Sequence, residues 1–248
     1  MKFTIITVVK NDEINISNTI KSVLSQTFTE FEYIIVDGRS TDKTIKNIES
    51  IKDTRIKLYS IEDNSVYEAL NYGIKKSIGE YIVMMHSGDI FFDNNVLRNI
   101  SQSINLSQII VSNCFYFSRN KSKILRKWVK PFKKISKYNS YKIAHTTMVI
   151  KKSIFFDIGF YSEKFQISSD TDFILNLISM NKEINYKNIN SVLMMYGGKS
   201  TSTKYLKQKI KEDLKIYYKY FGIFFIFFYF LKISSKLFDF IYSNKSNL

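Results

Sequence analysis

The chain has 248 residues, enough for one large domain or two small ones, and its 45% hydrophobic and 24% charged composition is that of a globular protein with a real core. The single cysteine, Cys114, excludes an intrachain disulfide and a cysteine-based metal cluster, and its apolar strand context reads as a small buried hydrophobe. A net charge of +15 calls for a polyanionic partner (nucleic acid, an acidic membrane surface or a phosphorylated ligand), unless it only accompanies a composition rich in Lys, Ile, Asn and Tyr.

The start of the chain has one lysine and then a short apolar run. It lacks the longer core and small-residue cleavage site of a signal peptide, so a cytosolic protein is expected. Phe3 to Val9 is a continuous, β-branched apolar run, the pattern of a strand covered on both faces. Ile16, Ile20, Val23 and Leu24 then follow helical spacing. Phe31 to Gly38 is a second strand, ending in Asp-Gly. Ser40, Thr41 and Asp42 are capping residues before a helix with Ile45, Ile48 and Ile51 on one face. Ile56 to Ile61 is a third strand, and Val66, Leu70 and Ile74 mark a helix. Tyr81 to Met85 is a fourth strand that stops at the polar cluster His86-Ser87-Gly88-Asp89.

Alternating strands and helices predict an α/β, Rossmann-like doubly wound unit with a largely parallel sheet flanked by helices. Such sheets bind ligands beyond the carboxyl ends of their strands. The polar clusters fall at those ends: Lys10-Asn11-Asp12, Asp37-Gly38, Glu62-Asp63 and His86 to Asp89. No Gly-x-Gly-x-x-Gly follows the first strand and no Gly-Lys-Ser/Thr loop is present, which argues against dinucleotide and P-loop sites. A nucleic-acid-binding protein would use the charge, but it has no use for carboxylates at every strand end.

The second half is less regular. Gln108 to Phe117 reads as a strand. Arg119 to Lys137 is strongly basic, with Trp128, Phe132 and the only proline, Pro131, and is a solvated face or the side that meets an acceptor. His145 to Ile150 reads as a short strand. A helix begins near Asp170 and carries Phe173, Leu175, Leu177 and Ile178. The tail, Tyr217 to Tyr242, has a dense aromatic core from Phe221 to Leu231, well short of the ~20 residues needed to span a bilayer. Lys215, Lys219, Lys232 and Lys236 flank that core, so the segment reads as an interfacial membrane-docking helix, or as a helix packed on the sheet or on a second copy of the chain.

Six stretches in this order, "ITVVKND", "IIVDGRSTDKT", "EDNSVYEALNYGIKKSIGEYIVMMHSGD", "HTTMVIKKSIF", "SSDTDFIL" and "YGGKST", resemble the family-two glycosyltransferases of GT-A fold. These are inverting enzymes that use nucleotide sugars, and the likeness is to bacterial enzymes of O-antigen or capsule synthesis. It covers residues 1–203, with a nucleotide-binding half (1–105) and an acceptor half (106–203), and leaves 204–248 as a helical tail. It implies that Thr7, Val8 and Val9 hold a nucleotide base through backbone groups, and that Asp37 accepts a hydrogen bond from the uracil ring. Asp63 would lie near ribose and uracil, and Tyr67 and Asn71 would line the pocket. Asp89 would be the last acid of an Asp-x-Asp motif holding Mn²⁺ or Mg²⁺ on the diphosphate, with Gly88 allowing close backbone approach.

Ser87 stands where that motif has its first acid. This leaves ligation resting on Asp89, with His145 or His86 as candidates to assist; a satisfied core histidine is the alternative for His145. Asp170 matches the base that deprotonates an acceptor hydroxyl, while Asp172 competes for that role and either acid would also serve as a helix cap. Gly197, Gly198 and Ser200 match a loop that closes over the diphosphate. The implied partners are a UDP-sugar, a saccharide or lipid-diphosphate-linked acceptor and an anionic membrane surface at the inner face of the cytoplasmic membrane. A sugar-nucleotide binder without activity is the competing expectation.

Overall fold

The protein is described by a computed structural model of residues 1–104, 107–118, 123–128, 135–195 and 203–245, without the side chains of 118, 123, 125, 126 and 236–245. The apolar runs nearest the N-terminus make the centre of the sheet. β1 (Phe3–Val9) and β2 (Phe31–Asp37) are buried at every position. They pair in parallel from Phe3↔Phe31 to Val9↔Asp37. Alternate residues go to opposite faces. Ile6, Val8, Ile34 and Val36 pack under α3 (Val66–Lys76), while Phe3, Ile5, Tyr33 and Ile35 pack with α1 (Ile16–Leu24). Each fully buried Ile or Phe contributes about 1.5–3 kcal/mol by leaving water, so the two faces fix the register.

β3 (Ile56–Ser60) adds outside β2, and β4 (Tyr81–Met84) adds on the other side of β1, both in parallel. These four strands are all parallel; beyond them the sheet is mixed. β5 (Ile90–Phe91), β6 (Ile109–Ser118), β7 (Lys123–Trp128), β8 (Val149–Lys151) and β9 (Asn185–Met195) extend a mixed sheet in the order β3-β2-β1-β4-β8-β6-β9-β5, with β7 on β6. β8 enters antiparallel to β4 and to β6, while β6 and β9 are parallel to each other.

Two predicted elements are shorter than expected. The helix after Ser40 is α2 (Thr44–Glu49), because Asp42 accepts from the Thr44 N–H while Ser40 and Thr41 bond to Asn11. His145 to Thr147 is a 3-10 turn, and the strand begins only at Val149. Thr147 donates its hydroxyl to the Ala144 carbonyl at 2.7 Å, a local bond that competes with a strand ladder.

α4 (Val96–Ser103), α5 (Lys152–Ile158) and α6 (Ser169–Ser179) flank the sheet. The tail folds as two helices, α7 (Leu206–Phe221) and α8 (Phe225–Lys245), broken at Gly222, whose φ is +55°. Ile216, Tyr217 and Phe221 of α7 share an apolar cluster with Leu175 of α6. α7 therefore packs on the body of the protein.

Candidate functional site

The acids at the strand ends meet along one rim. Asp37, the last residue of β2, is fully buried; one oxygen accepts from the Ser40 N–H and the Ser60 hydroxyl, both at 3.0 Å. Its other oxygen has no hydrogen-bond partner among the described residues. Asp63 lies over Gly38 so closely that a Cβ there would meet both carboxylate oxygens at 2.8 Å, and it pairs with Lys10 at 3.5 Å. Only glycine permits that approach. The β1–β4 ladder ends at Ile6↔Met84, so Thr7, Val8 and Val9 run on beyond it toward the rim. The Thr7 hydroxyl is turned inward to the Tyr33 hydroxyl at 2.9 Å, and the Val9 carbonyl accepts from Gly38.

Beyond β4 the chain turns through Gly88 at φ +95°, a conformation that other residues rarely adopt. A Cβ there would also meet the Met195 methyl at 2.7 Å. This turn buries Asp89. One Asp89 oxygen accepts from the Met195 N–H at 3.0 Å, and the other is buried with no partner among the described residues. Burial pushes its carboxyl up to about 7, against the opposing pull of the Met195 N–H. A carboxylate so placed is relieved by a cation.

Ser87 donates to Asp12 at 2.7 Å, so a second carboxylate stands behind the position where the first acid of the motif is missing. In the sequence Asp12 stands out only as a polar residue at the end of the first strand. Its signal was its place at a parallel-strand end. No group of three or more His, Cys, Asp or Glu gathers around a common point among the described residues. A divalent cation at Asp89 and Ser87 would therefore take most of its oxygen shell from a ligand and from water, as Mg²⁺ commonly does.

The histidines form a second cluster. His145 is buried, its Nε2 is 2.8 Å from the Tyr161 hydroxyl, and its ring lies 5.9 Å from that of His86. Burial lowers His86 to about 4, helped by His145 and opposed by Asp170; burial also lowers His145, again opposed by Asp170. Both rings are neutral at neutral pH. The field of Asp170 also acts on Tyr67 and Tyr161, where it adds to burial in raising both hydroxyls. Asp170 thus lies within electrostatic reach of the histidine–tyrosine cluster, and Glu212 acts on Tyr67 as well.

Asp172 faces elsewhere. Its carboxylate pairs with Lys219 of α7 at 2.9 Å, and its carbonyl accepts from the Tyr220 hydroxyl. Tyr67 donates to the Ile167 carbonyl at 2.8 Å. The Asn71 side chain bonds to the Tyr161 backbone at both ends and to Glu163. The polar atoms of Tyr67 and Asn71 are therefore engaged in holding residues 161–167, the approach to α6. Gly197, Gly198 and Ser200 lie outside the described residues, although Met195 just before them is bound to Asp89.

Glu212 has no motif around it that marks it in the sequence. This buried acid of α7 accepts from three successive backbone N–H groups, Gln166, Ile167 and Ser168, at 2.9–3.1 Å. The Ser168 side chain does not cap α6, so Glu212 supplies from another helix the acceptor that the α6 entry needs. Beside it, Asp213 and Lys232 form a buried ion pair at 2.9 Å between α7 and α8.

The sequence model of the family described as "Glycosyl transferase family 2" matches residues 4–162. A protein of Rickettsia conorii named an uncharacterized glycosyltransferase is 42% identical over 79 residues, covering 31% of this chain and 13% of that protein. A glycosyltransferase of Rickettsia typhi is 30% identical over 164 residues, covering 62% of this chain and 51% of that protein. The chain thus spans between about an eighth and a half of the length of these curated relatives. Among solved structures, Staphylococcus aureus TarS (residues 1–349) in complex with UDP-GlcNAc superposes with a TM-score of 0.70 at 21% identity, covering 88% of this chain and 66% of that one. The mannosyltransferase PcManGT from Pyrobaculum calidifontis, in complex with GDP-Man and Mn²⁺, gives 0.66 at 16% identity, with 88% and 63% covered.

Proposed function

The chain belongs to glycosyl transferase family 2 and has the GT-A fold, and on that premise we propose that it moves one hexosyl or N-acetylhexosaminyl unit from a UDP-sugar to a saccharide acceptor, with inversion at the anomeric carbon. The observation that carries this reading is Asp89: a buried carboxylate beyond β4 that keeps one oxygen with no partner among the described residues. Asp89 and Ser87 would hold Mn²⁺ or Mg²⁺, which when bound supplies positive charge to the diphosphate leaving group. The unpartnered oxygen of Asp37 would accept from the uracil N–H, with Asp63 near the ribose and the backbone of Thr7 to Val9 along the base. Asp170 would take the proton of the attacking acceptor hydroxyl, on the opposite side of the sugar from the leaving group. His86 and His145, neutral through burial, would face the donor sugar without repelling a cation.

A lipid-diphosphate-linked saccharide at the cytoplasmic membrane face, in bacterial surface-polysaccharide assembly, is the acceptor that this reading calls for. Calorimetry of UDP binding with and without Mn²⁺ tests the metal assignment. Asp89→Ala should lose the Mn²⁺-dependent part of the affinity. A mutant that still binds UDP more tightly with Mn²⁺, as the wild type does, removes Asp89 from the metal site.

A further inference from the structure

The α7–α8 hairpin presents to the outside a surface that the transfer chemistry does not use. Its only acids between residues 203 and 235 are Glu212 and Asp213, and both are buried and engaged within the protein. Lys207, Lys211 and Lys215 are exposed at four-residue intervals, a single basic stripe along α7. Where α7 ends, the hairpin turn and the first turns of α8 expose Ile223, Phe224, Ile226, Phe227 and Phe230, each 60–84% accessible. A contiguous apolar patch of this kind on a soluble surface marks an interaction site.

From this juxtaposition we infer that the hairpin lies in the headgroup region of an anionic lipid surface, with the aromatic tip inserted and the lysine stripe against the lipid charge. Charge complementarity selects this occupant: the outward charge of residues 203–235 is entirely positive, and the apolar tip follows the stripe along the chain. By length and composition, Thr203–Ser235 is apolar enough to cross a membrane. The fold opposes that use. The chain breaks at Gly222, α7 buries Ile216 and Tyr217 against the body, and Lys232 is buried in an ion pair. A helix pair with one face committed and one face basic and aromatic lies on a bilayer.

The test is cosedimentation of the full chain with vesicles of equal parts phosphatidylglycerol and phosphatidylcholine, and with phosphatidylcholine alone. Binding to the mixed vesicles only, and release by high salt, is expected. Lys207→Gln/Lys211→Gln/Lys215→Gln should weaken that binding about 100-fold, at about fivefold per lysine. Phe224→Ser/Phe227→Ser/Phe230→Ser should abolish it while UDP affinity stays unchanged, since these side chains are already in solvent. Equal cosedimentation by the phenylalanine variant would overturn the inference. So would retention through a salt and alkaline wash, which marks a spanning segment. A wild-type dimer that ignores vesicles and becomes monomeric in the phenylalanine variant would assign the face to a second copy of the chain.

Discussion

The sheet built from β1 to β4 and the α7–α8 hairpin both carry acids, but use them differently. At the rim of the sheet, Asp37 and Asp89 are each held by one oxygen and keep the other unpartnered among the described residues. In and around the hairpin the acids hold the structure together: Asp172 takes Lys219, Glu212 takes three backbone N–H groups, and Asp213 takes Lys232. Buried acids cost free energy in both places. The hairpin meets most of that cost with its own lysines and backbone N–H groups, although Asp213 also keeps one oxygen without a hydrogen-bond partner among the described residues. At the rim, Asp37 and Asp89 are met only by hydrogen-bond donors, with no lysine or arginine paired to them among the described residues. A lysine partner within the chain, more than the mere presence of an acid, separates Asp172 and Asp213 from the rim acids Asp37 and Asp89.

If the hairpin is held by charge, a single substitution should break it and a paired one should restore it. Lys232→Met leaves Asp213 as a lone buried charge and should cost about 3–5 kcal/mol in chemical denaturation. The double variant Lys232→Met/Asp213→Leu should recover most of that loss, because the pair's own net contribution is small. A double variant as unstable as the single would mean that shape, not charge, fixes α8.

Glu212→Ala sharpens the contrast at a smaller scale. It strips the acceptor from three N–H groups at the α6 entry and should cost about 1–3 kcal/mol. Because that segment leads to Asp170, turnover should fall while the KM for the donor holds. Glu212→Gln, which keeps one acceptor oxygen, should restore part of both. A loss of stability with unchanged turnover would make Glu212 purely structural.

The two regions also differ in how far the sequence exposes them. β1, β2 and β4 and the helices between them follow from local periodicity, since strands covered on both faces are apolar throughout and the helices carry one apolar stripe, while β3 is a half-exposed edge strand. The rim acids follow from the strand-end rule. Asp12 escaped because its partner, Ser87, is 75 residues away. The helical tail is legible in its aromatic core and flanking lysines, but which of its faces packs is not. Its buried Tyr217 and Phe221 have the same composition as its exposed Phe224 and Phe227, so no pattern separates the packed face from the free one. Glu212 and Lys232 look like ordinary solvated charges until the fold buries them. Asp170 and Asp172, two positions apart on one helix, look alike in sequence; only the fold shows that Lys219 of α7 engages Asp172.

Base-assisted transfer at Asp170 beside a metal–nucleotide rim is what we propose for this glycosyltransferase-family chain. Measuring the transfer rate of Asp170→Asn, with UDP affinity in Mn²⁺ taken on the same preparation, tests it most directly. Transfer should fall by about 10²–10⁴-fold, the usual value of a positioned base, while UDP affinity stays at the wild-type level. Near-normal transfer by Asp170→Asn, or a loss of UDP binding equal to the loss of transfer, would contradict it.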